Sequence, residues 1–268
     1  MVKLSIIIPL YNAQSFVEVC ILSCLKCSLS LTEYEIIVWN DGSKDDGHVI
    51  VQNLQSQKMN IILVNRDNHG VSFSRNNALI LAKGKYVWFV DSDDMIVPNQ
   101  VEPLLRYAEK YDADMVNFCW KAFDGNKFSP GIHQTTDLAE PLSGKQIFMK
   151  YRLMMAPWCY IYKRSFLMEH NLCFDETYKT CEDIQFNQKA LFCANKVLTS
   201  ARIAYIYRIQ PESASQGKGR AKKVLKDQFR RLFDEIKFFL PKGDFMFLCR
   251  VLYLNFREIC LWMKLSLR

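Results

Sequence analysis

The chain has no uninterrupted apolar run of about 18 residues, the length a membrane-spanning helix needs, so no span is expected. Its longest apolar stretches near the C-terminus are cut by Arg250, Arg257 and Glu258. Glycine is sparse, and the ten glycines include no G-x-G-x-x-G. The turn after the first predicted strand is Pro9-Leu10-Tyr11-Asn12, which argues against a dinucleotide oxidoreductase. No P-loop is present either: Gly84-Lys85, Gly144-Lys145 and Gly217-Lys218 are followed by Tyr86, Gln146 and Gly219, where a P-loop needs Ser or Thr. The ten cysteines are scattered, and no Cys or His pair with zinc-ligand spacing follows the group at Cys20, Cys24 and Cys27. Those three fall on one face of a predicted helix and read as small buried hydrophobes. With the first strand expected near Lys3, no signal peptide is expected, and the setting reads as a reducing cytoplasm. Neither repeats nor low-complexity tracts occur.

What is present is a globular composition. With 268 residues, 50% of them hydrophobic, the chain can bury a full core as one large domain or one domain with appendages. The net charge of +7 is uneven: residues 1–200 hold 20 Lys and Arg against 22 Asp and Glu, whereas residues 201–268 hold 15 against 6. A basic tail beside a near-neutral body suits an anionic partner such as a membrane surface, though a solvated helical face reads the same way. Nucleic acid is not expected, because the tail's aromatic residues fit a hydrophobic face better than stacking platforms.

Short apolar runs at Ser5–Pro9, Glu35–Trp39, Ile61–Val64 and Tyr86–Val90 read as strands buried on both faces. Helical patterns lie between them, at Ser15–Leu25, Gly47–Gln55 and Ser72–Ala82. Such alternation implies βαβ units and a parallel sheet, with ligands bound outside the carboxyl ends of the strands. A further helix is expected over Pro98–Lys110, a strand over Asp114–Phe118 and a loop excursion over residues 121–145. A mixed segment to Leu172, a helix opening near Glu182 and a strand over Val197–Arg208 follow. Residues 211–220 read as a link to two helices, at about 221–240 and 244–265.

Tyr86-Val-Trp-Phe-Val-Asp-Ser-Asp-Asp94 is the most informative stretch, an apolar run that ends in Asp91, Asp93 and Asp94. Crowded like charges are costly to bury unpaired, and a bound cation is the simplest relief. Oxygen-only ligands favour Mg²⁺ or Mn²⁺, and such ions keep positions for water and substrate phosphates. A solvated acidic turn is the bland alternative. The same sheet edge is expected to carry Tyr11 and Asn12 after the first strand and Asn40-Asp41-Gly42-Ser43 after the second, with Arg75 near the start of the third helix. A ring can stack on a base, a carboxylate can accept a base N–H, and an arginine can pair with phosphate or an acid.

On these residues the chain resembles a family 2 glycosyltransferase with the GT-A fold. The matching segments are residues 5–12, 38–45, 68–76 and 90–94, the Glu182-Asp183 pair, and Tyr207-Arg208 followed by Ser213 and Ser215. The resemblance implies an α/β architecture: a Rossmann-like, mostly parallel sheet flanked by helices, with a C-terminal helical extension. It implies a catalytic domain over 1–210, divided near 118 into a nucleotide-sugar-binding half and an acceptor half, then a linker at 211–220 and a basic amphipathic tail at 221–268. It further implies metal-dependent, inverting transfer of a sugar from a nucleotide-diphospho-sugar, foremost a UDP-sugar, to a hydroxyl of a saccharide or lipid-linked acceptor in surface polysaccharide, lipopolysaccharide or glycan biosynthesis. Carried over residue by residue, Pro9 and Tyr11 line the base pocket, Asp41 binds the base, and Asn12, Arg75, Asp91 and Ser92 serve the donor. Asp93, with Asp91 and Asp94, holds Mn²⁺ or Mg²⁺. Asp183 matches the catalytic base, with Glu182 beside it, although acids in a first helical turn also suit the macrodipole. Trp158 resembles a residue placed beside the acceptor, and core packing explains it equally well. A catalytically silent nucleotide-sugar-binding scaffold and, less well, a nucleotidyltransferase are the competing readings.

In the tail, Phe245, Leu248, Leu252, Ile259 and Trp262 can share a helical face with Arg250, Arg257, Lys264 and Arg268 around it. Such a helix suits an anionic membrane interface, which would place the enzyme peripherally at the inner face of the cell membrane. Packing on the catalytic domain or dimerisation would use the same pattern.

Overall fold

A computed structural model describes residues 1–131, 135–210 and 220–266. Strand β1 (Leu4–Leu10) sits between β2 (Tyr34–Asp41) and β4 (Tyr86–Phe89), and β3 (Ile61–Arg66) pairs with β2. All of these pairings are parallel, as the alternating pattern requires. Helices α1 (Val17–Leu25), α2 (Gly47–Gln57) and α3 (Val71–Leu81) supply the crossovers. Ile6, Ile7 and Ile8 are fully buried because helices and strands cover both faces of β1.

Beyond β4 the sheet becomes mixed. Short β5 (Met95–Ile96) is followed by α4 (Val101–Tyr111) and the long β6 (Met115–Phe123). After β7 (Phe128–Pro130) and α5 (Gly144–Lys150) come β8 (Tyr160–Lys163), α6 (Arg164–Glu169), α7 (Glu182–Cys193) and β9 (Val197–Arg208). The order is β3-β2-β1-β4-β8-β6-β9-β5, with β7 on β6. Strand β8 runs antiparallel to both β4 and β6, while β6 and β9 are parallel. The mostly parallel expectation therefore holds for the N-terminal strands, and the C-terminal ones pair mainly antiparallel, β6 with β9 excepted.

The loop excursion expected over 121–145 is partly ordered otherwise. β6 continues to Phe123 and turns through Asp124-Gly125 into β7, with Asp124 Oδ1 accepting from the amides of Asn126 and Lys127. Gly125 takes φ +97°, so the Asp-Gly pair between Phe123 and Phe128 was a hairpin signal in plain sight. Further on, Ser143 and Gln146 form a capping box that starts α5.

At the amino edge of the sheet the buried Glu35 carboxylate accepts from Ser5 Oγ at 2.6 Å and from the Lys83 amide at 2.6 Å. The Gly84 amide donates to Ser5 Oγ, and a Cβ at Gly84 would lie 2.4 Å from the Ser5 nitrogen, so only glycine fits this crossing.

The predicted linker lies outside the described residues apart from Arg220, which opens α8 (Arg220–Phe239). α8 and α9 (Phe245–Ser266) form a helical hairpin against the body. Phe247 stacks on Phe148 of α5 with centroids 4.5 Å apart and meets Phe192 of α7 edge-on. Leu248 and Ile259 are buried as the shared-face pattern predicts, whereas Phe245 is exposed. No helix among the described residues is long and apolar enough to cross a membrane.

Candidate active site

Register places the chemistry. Ile7 of β1 pairs with Phe89 of β4, and Leu10 pairs with Asn40 of β2, so the three carboxyl ends open onto one edge. There they line a cavity of about 1070 Å³, a size suited to a nucleotide-sugar rather than to a small metabolite. Pro9, Tyr11, Asn12, Asp41, Arg75, Asp91, Ser92, Asp93, Glu182 and Asp183 all reach its wall.

The loops after β1 and β2 are stapled together. Asn12, at φ +49°, receives the Lys44 amide on Oδ1 at 2.9 Å, while its own amide donates to Ser43 Oγ at 3.2 Å. Gly42 takes φ +70° against the backbone of Asn68, where a side chain would collide. Asp41 is buried, and its two carboxylate oxygens accept from the amides of His69 and Gly70, each at 2.8 Å. Each oxygen keeps a further acceptor position for a ligand. Tyr11 stands at the cavity rim with 49% of its surface exposed, leaving a ring face open for stacking.

Arg75 ties the two halves of the site together. It is buried, donating from Nη2 to Asp91 at 2.8 Å and from Nη1 to Glu182 at 3.2 Å. Its guanidinium lies 5.1 Å from the Phe174 ring, which in turn stacks on Phe186 of α7 at 4.0 Å. The arginine thus spans from the end of β4 to the first turn of α7.

The acidic turn divides its labour. Asp91 pairs with Arg75, and Asp93 reaches the cavity while accepting from Gln210 at 2.9 Å. Burial, reinforced by the negative charge of Asp91, pushes the Asp93 carboxyl up to about 6. Asp94 is only 1% exposed and accepts from the Tyr205 hydroxyl at 2.7 Å and the Arg208 amide at 2.7 Å. The Asp91 amide donates to that same Tyr205 oxygen, so β9 braces the turn through Asp94 from behind the cavity wall. Tyr207 of the Tyr-Arg segment lines the cavity; Ser213 and Ser215 lie outside the described residues.

Glu182 and Asp183 form the first turn of α7, after Cys181 at φ +68°. Burial, then the charge of Glu182, raises the Asp183 carboxyl to about 7 against the opposing pull of Arg75. A carboxyl near neutrality is poised to exchange protons.

Trp158, like Asp94, is a candidate not brought to the cavity. It is 5% exposed, stacks on Tyr205 at 4.6 Å and on Tyr207 at 5.8 Å, and meets Trp120 edge-on. Its carbonyl also accepts from Trp88 Nε1, so the core alternative describes its place. The sequence reading missed the contribution of the tail: Val224, Gln228, Glu258 and Trp262 wall the cavity from α8 and α9. Their spacing, 224 with 228 and 258 with 262, marks one face of each helix, but nothing local says what that face meets.

For a cation, the described residues contain no group of three or more His, Cys, Asp or Glu placed to hold one. Asp93 remains a desolvated carboxylate beside another acid, in keeping with an ion that takes one or two protein carboxylates and completes its shell with phosphate and water.

Comparison with known proteins agrees with this geometry. The family model described as glycosyl transferase family 2 matches residues 5–170. EpsJ of Bacillus subtilis (strain 168), described as an uncharacterized glycosyltransferase, is 32% identical over 79% of this chain and 62% of its own length. The poly(ribitol-phosphate) beta-N-acetylglucosaminyltransferase TarS of Staphylococcus aureus (strain Mu50) is 27% identical over 79% of this chain and 36% of its own. The chain thus spans from about a third to three fifths of the length of these relatives. The crystal structure of S. aureus TarS 1–349 in complex with UDP-GlcNAc superposes with a TM-score of 0.76 at 24% identity, over 87% of this chain and 66% of that one. The UDP complex gives 0.72 at 23%, over 87% and 65%. At such identity the likeness is one of fold, and the fold is GT-A.

Proposed function

The chain belongs to glycosyl transferase family 2, and from that premise we propose that it moves a sugar from a UDP-sugar to a hydroxyl of a saccharide or lipid-linked acceptor, with inversion, in the assembly of a cell-surface polysaccharide. The observation that carries the reading is Arg75, which joins the donor-side Asp91 to the acid pair of α7 across one cavity. TarS, a relative in sequence and fold, has been crystallised with UDP and with UDP-GlcNAc, which supports the choice of nucleotide.

Tyr11 stacks on the base, Asp41 accepts its N–H, and Asp91, fixed by Arg75, meets the ribose or sugar. Asp183 takes the proton of the acceptor hydroxyl as that oxygen attacks the anomeric carbon from the face opposite the departing nucleoside diphosphate. Glu182 keeps Arg75 in place and raises the basicity of Asp183 by its charge. Asp93, with Asp91 alongside, would hold Mn²⁺ or Mg²⁺, which when bound stabilises charge on the leaving diphosphate as a Lewis acid. Asp94 positions that turn through Tyr205 and Arg208.

The test is a thermal-shift panel of UDP-, GDP-, CMP- and dTDP-sugars with Mn²⁺ or chelator, on wild type and Asp93→Ala. Mass action predicts a metal-dependent rise with the UDP-sugar that disappears in the variant. No shift with any donor sinks the reading.

The tail adds a location. Phe229 and Phe233 of α8 and Tyr253 and Phe256 of α9 are exposed among Lys226, Arg230 and Lys237. This outer face rests in an anionic membrane interface, bringing the cavity to a lipid-linked acceptor.

A further inference from the structure

Resting on the glycosyl-transfer reading above, we propose that Trp262 and Glu258, the latter held by Gln228, form on the two C-terminal helices a subsite for the acceptor saccharide. Glu258 and Trp262 lie one turn apart on α9, Gln228 faces them from α8, and all three line the cavity that contains Asp183. This wall stands at the acid-pair end of the cavity. Asp227, the neighbour of Gln228 on α8, accepts from the amides of Lys179 at 3.2 Å and Thr180 at 2.9 Å, on the segment that leads into Glu182 and Asp183. The base pocket proposed at Tyr11 and Asp41 belongs to the carboxyl ends of β1 and β2.

The polar pair is held in place before any ligand arrives. Gln228 is buried, its Nε2 donating to Glu258 Oε2 at 3.1 Å and its Oε1 accepting from Arg231 Nη2 at 2.7 Å. Arg231 Nη2 also donates to the same Glu258 oxygen at 2.9 Å. Glu258 is therefore oriented through Oε2, while Oε1 hydrogen-bonds nothing among the described residues. Behind it, Arg231 is fully buried, 3.4 Å from Glu235, and hydrogen-bonded to Asn255. A helix pair gains little stability from such a network, since apolar residues of similar volume usually do as well. Aiming Glu258 into the cavity gives the network a purpose.

The chemistry selects the ligand class. A pyranose offers an apolar C–H face and a rim of hydroxyl donors, and the Trp262 ring with the Glu258 carboxylate matches both. A phosphate or diphosphate would be repelled by Glu258. The subsite therefore takes the neutral acceptor sugar, leaving the nucleotide to Tyr11 and Asp41.

Tryptophan fluorescence reads the site directly, because Trp39, Trp88, Trp120 and Trp158 are buried and Trp262 is partly exposed. The full chain, saturated with UDP and Mn²⁺, is titrated with methyl glycosides of glucose, galactose and N-acetylglucosamine, with saturation-transfer NMR on the same samples. At least one glycoside is expected to give a saturable signal by both methods. Glu258→Gln, which keeps the hydrogen bonds to Gln228 and Arg231 available, and Trp262→Ala should each weaken that affinity about tenfold or more. UDP affinity and melting temperature should stay at wild-type values. Glycoside binding indifferent to both substitutions, or absent from the wild type while UDP still binds, overturns the subsite alone. Failure of the wild type to bind UDP or any UDP-sugar overturns the glycosyl-transfer reading, and the subsite with it.

Discussion

The sheet and the helical hairpin weight apolar and polar burial differently. In the body, Ile6, Ile7, Ile8, Val87 and Phe89 fill the interior, and the carboxylates Asp91, Asp93 and Asp183 gather at the cavity. In the hairpin, Arg231, Glu235, Gln228 and Asn255 are buried between or beneath the helices, while Phe233 and Phe256 are 62% and 68% exposed. Burial of apolar surface holds the body together. The hairpin packs on the body through Phe247 and Leu248 but also buries charge, which contributes little net stability but fixes geometry, and it leaves apolar surface for something else to cover. One region is made to be stable and the other to point at things.

If the chemistry lives in the body, the largest effect of any single substitution comes from there. Asp183→Asn keeps size and removes the base, so kcat should fall about 10²- to 10⁴-fold. UDP-sugar affinity, measured calorimetrically, should hardly change. A variant that keeps transfer within a few-fold of wild type would move the base elsewhere and break the comparison at its first step.

The second contrast is in stability. Arg231→Ala leaves the buried Glu235 carboxylate without its ion pair and should cost about 3–5 kcal/mol in chemical denaturation. Phe89→Ala in the body should cost a similar amount, about 3–5 kcal/mol, by opening a cavity among Tyr162, Phe174 and Phe186. The two differ in rescue. The double variant Arg231→Met with Glu235→Leu should recover most of the loss, because the pair's desolvation cost goes with it. No paired change is expected to refill the space left by Phe89.

The same division explains what the sequence disclosed. Strands β1 to β4 are read from continuous apolar runs, and the site residues after them follow from the rule that ligands sit at carboxyl ends. These are local signals with a fixed geometric consequence. Trp158 could not be assigned, because one aromatic residue serves a sugar or a core equally well until Tyr205 and Tyr207, more than forty residues on, stack against it. Asp94 looked like its neighbours Asp91 and Asp93, and only the arrival of β9 separates the brace from the cavity wall. The hairpin was hardest. Its amphipathic pattern marked a buried face correctly at Leu248 and Ile259, yet gave no sign that Glu258 and Trp262 beside them would wall the site.

A pH series sharpens the contrast further, since a raised carboxyl acts in opposite directions on rate and on stability. As the proposed base, Asp183 would work only when deprotonated, so kcat/KM should rise about tenfold per unit below its value near 7 and level off above it. Glu235 is likewise raised to about 7, by burial acting against Arg231 and Asn255, from an ordinary 4.5. The folded state then holds its proton more tightly than the unfolded chain, so this group's contribution is full below about 4.5 and is lost as pH climbs through 7. Asp183 has the same sign. Glu235→Gln should flatten the decline in stability while leaving the rate profile in place, and Asp183→Asn should abolish the rate profile. A rate profile that moves with Glu235→Gln would mean the two regions are not separable.

The smallest effect expected on the folded protein comes from the exposed apolar face of the hairpin. Phe229, Phe233 and Phe256 are all well exposed, so replacing the three by Ser should shift stability by no more than about 0.5 kcal/mol each. Transfer to a short soluble acceptor should be unchanged, because none of the three lines the cavity. The difference should appear only at a surface. On vesicles of phosphatidylcholine with phosphatidylglycerol the wild type should co-sediment, with binding that weakens as salt screens Lys226, Arg230 and Lys237. The triple variant should stay in the supernatant at every salt concentration, and neither protein should bind phosphatidylcholine alone. If instead the substitutions lower the melting temperature sharply and dissolve a dimer, the face is covered by a second copy, and the hairpin obeys the body's rule of apolar burial after all.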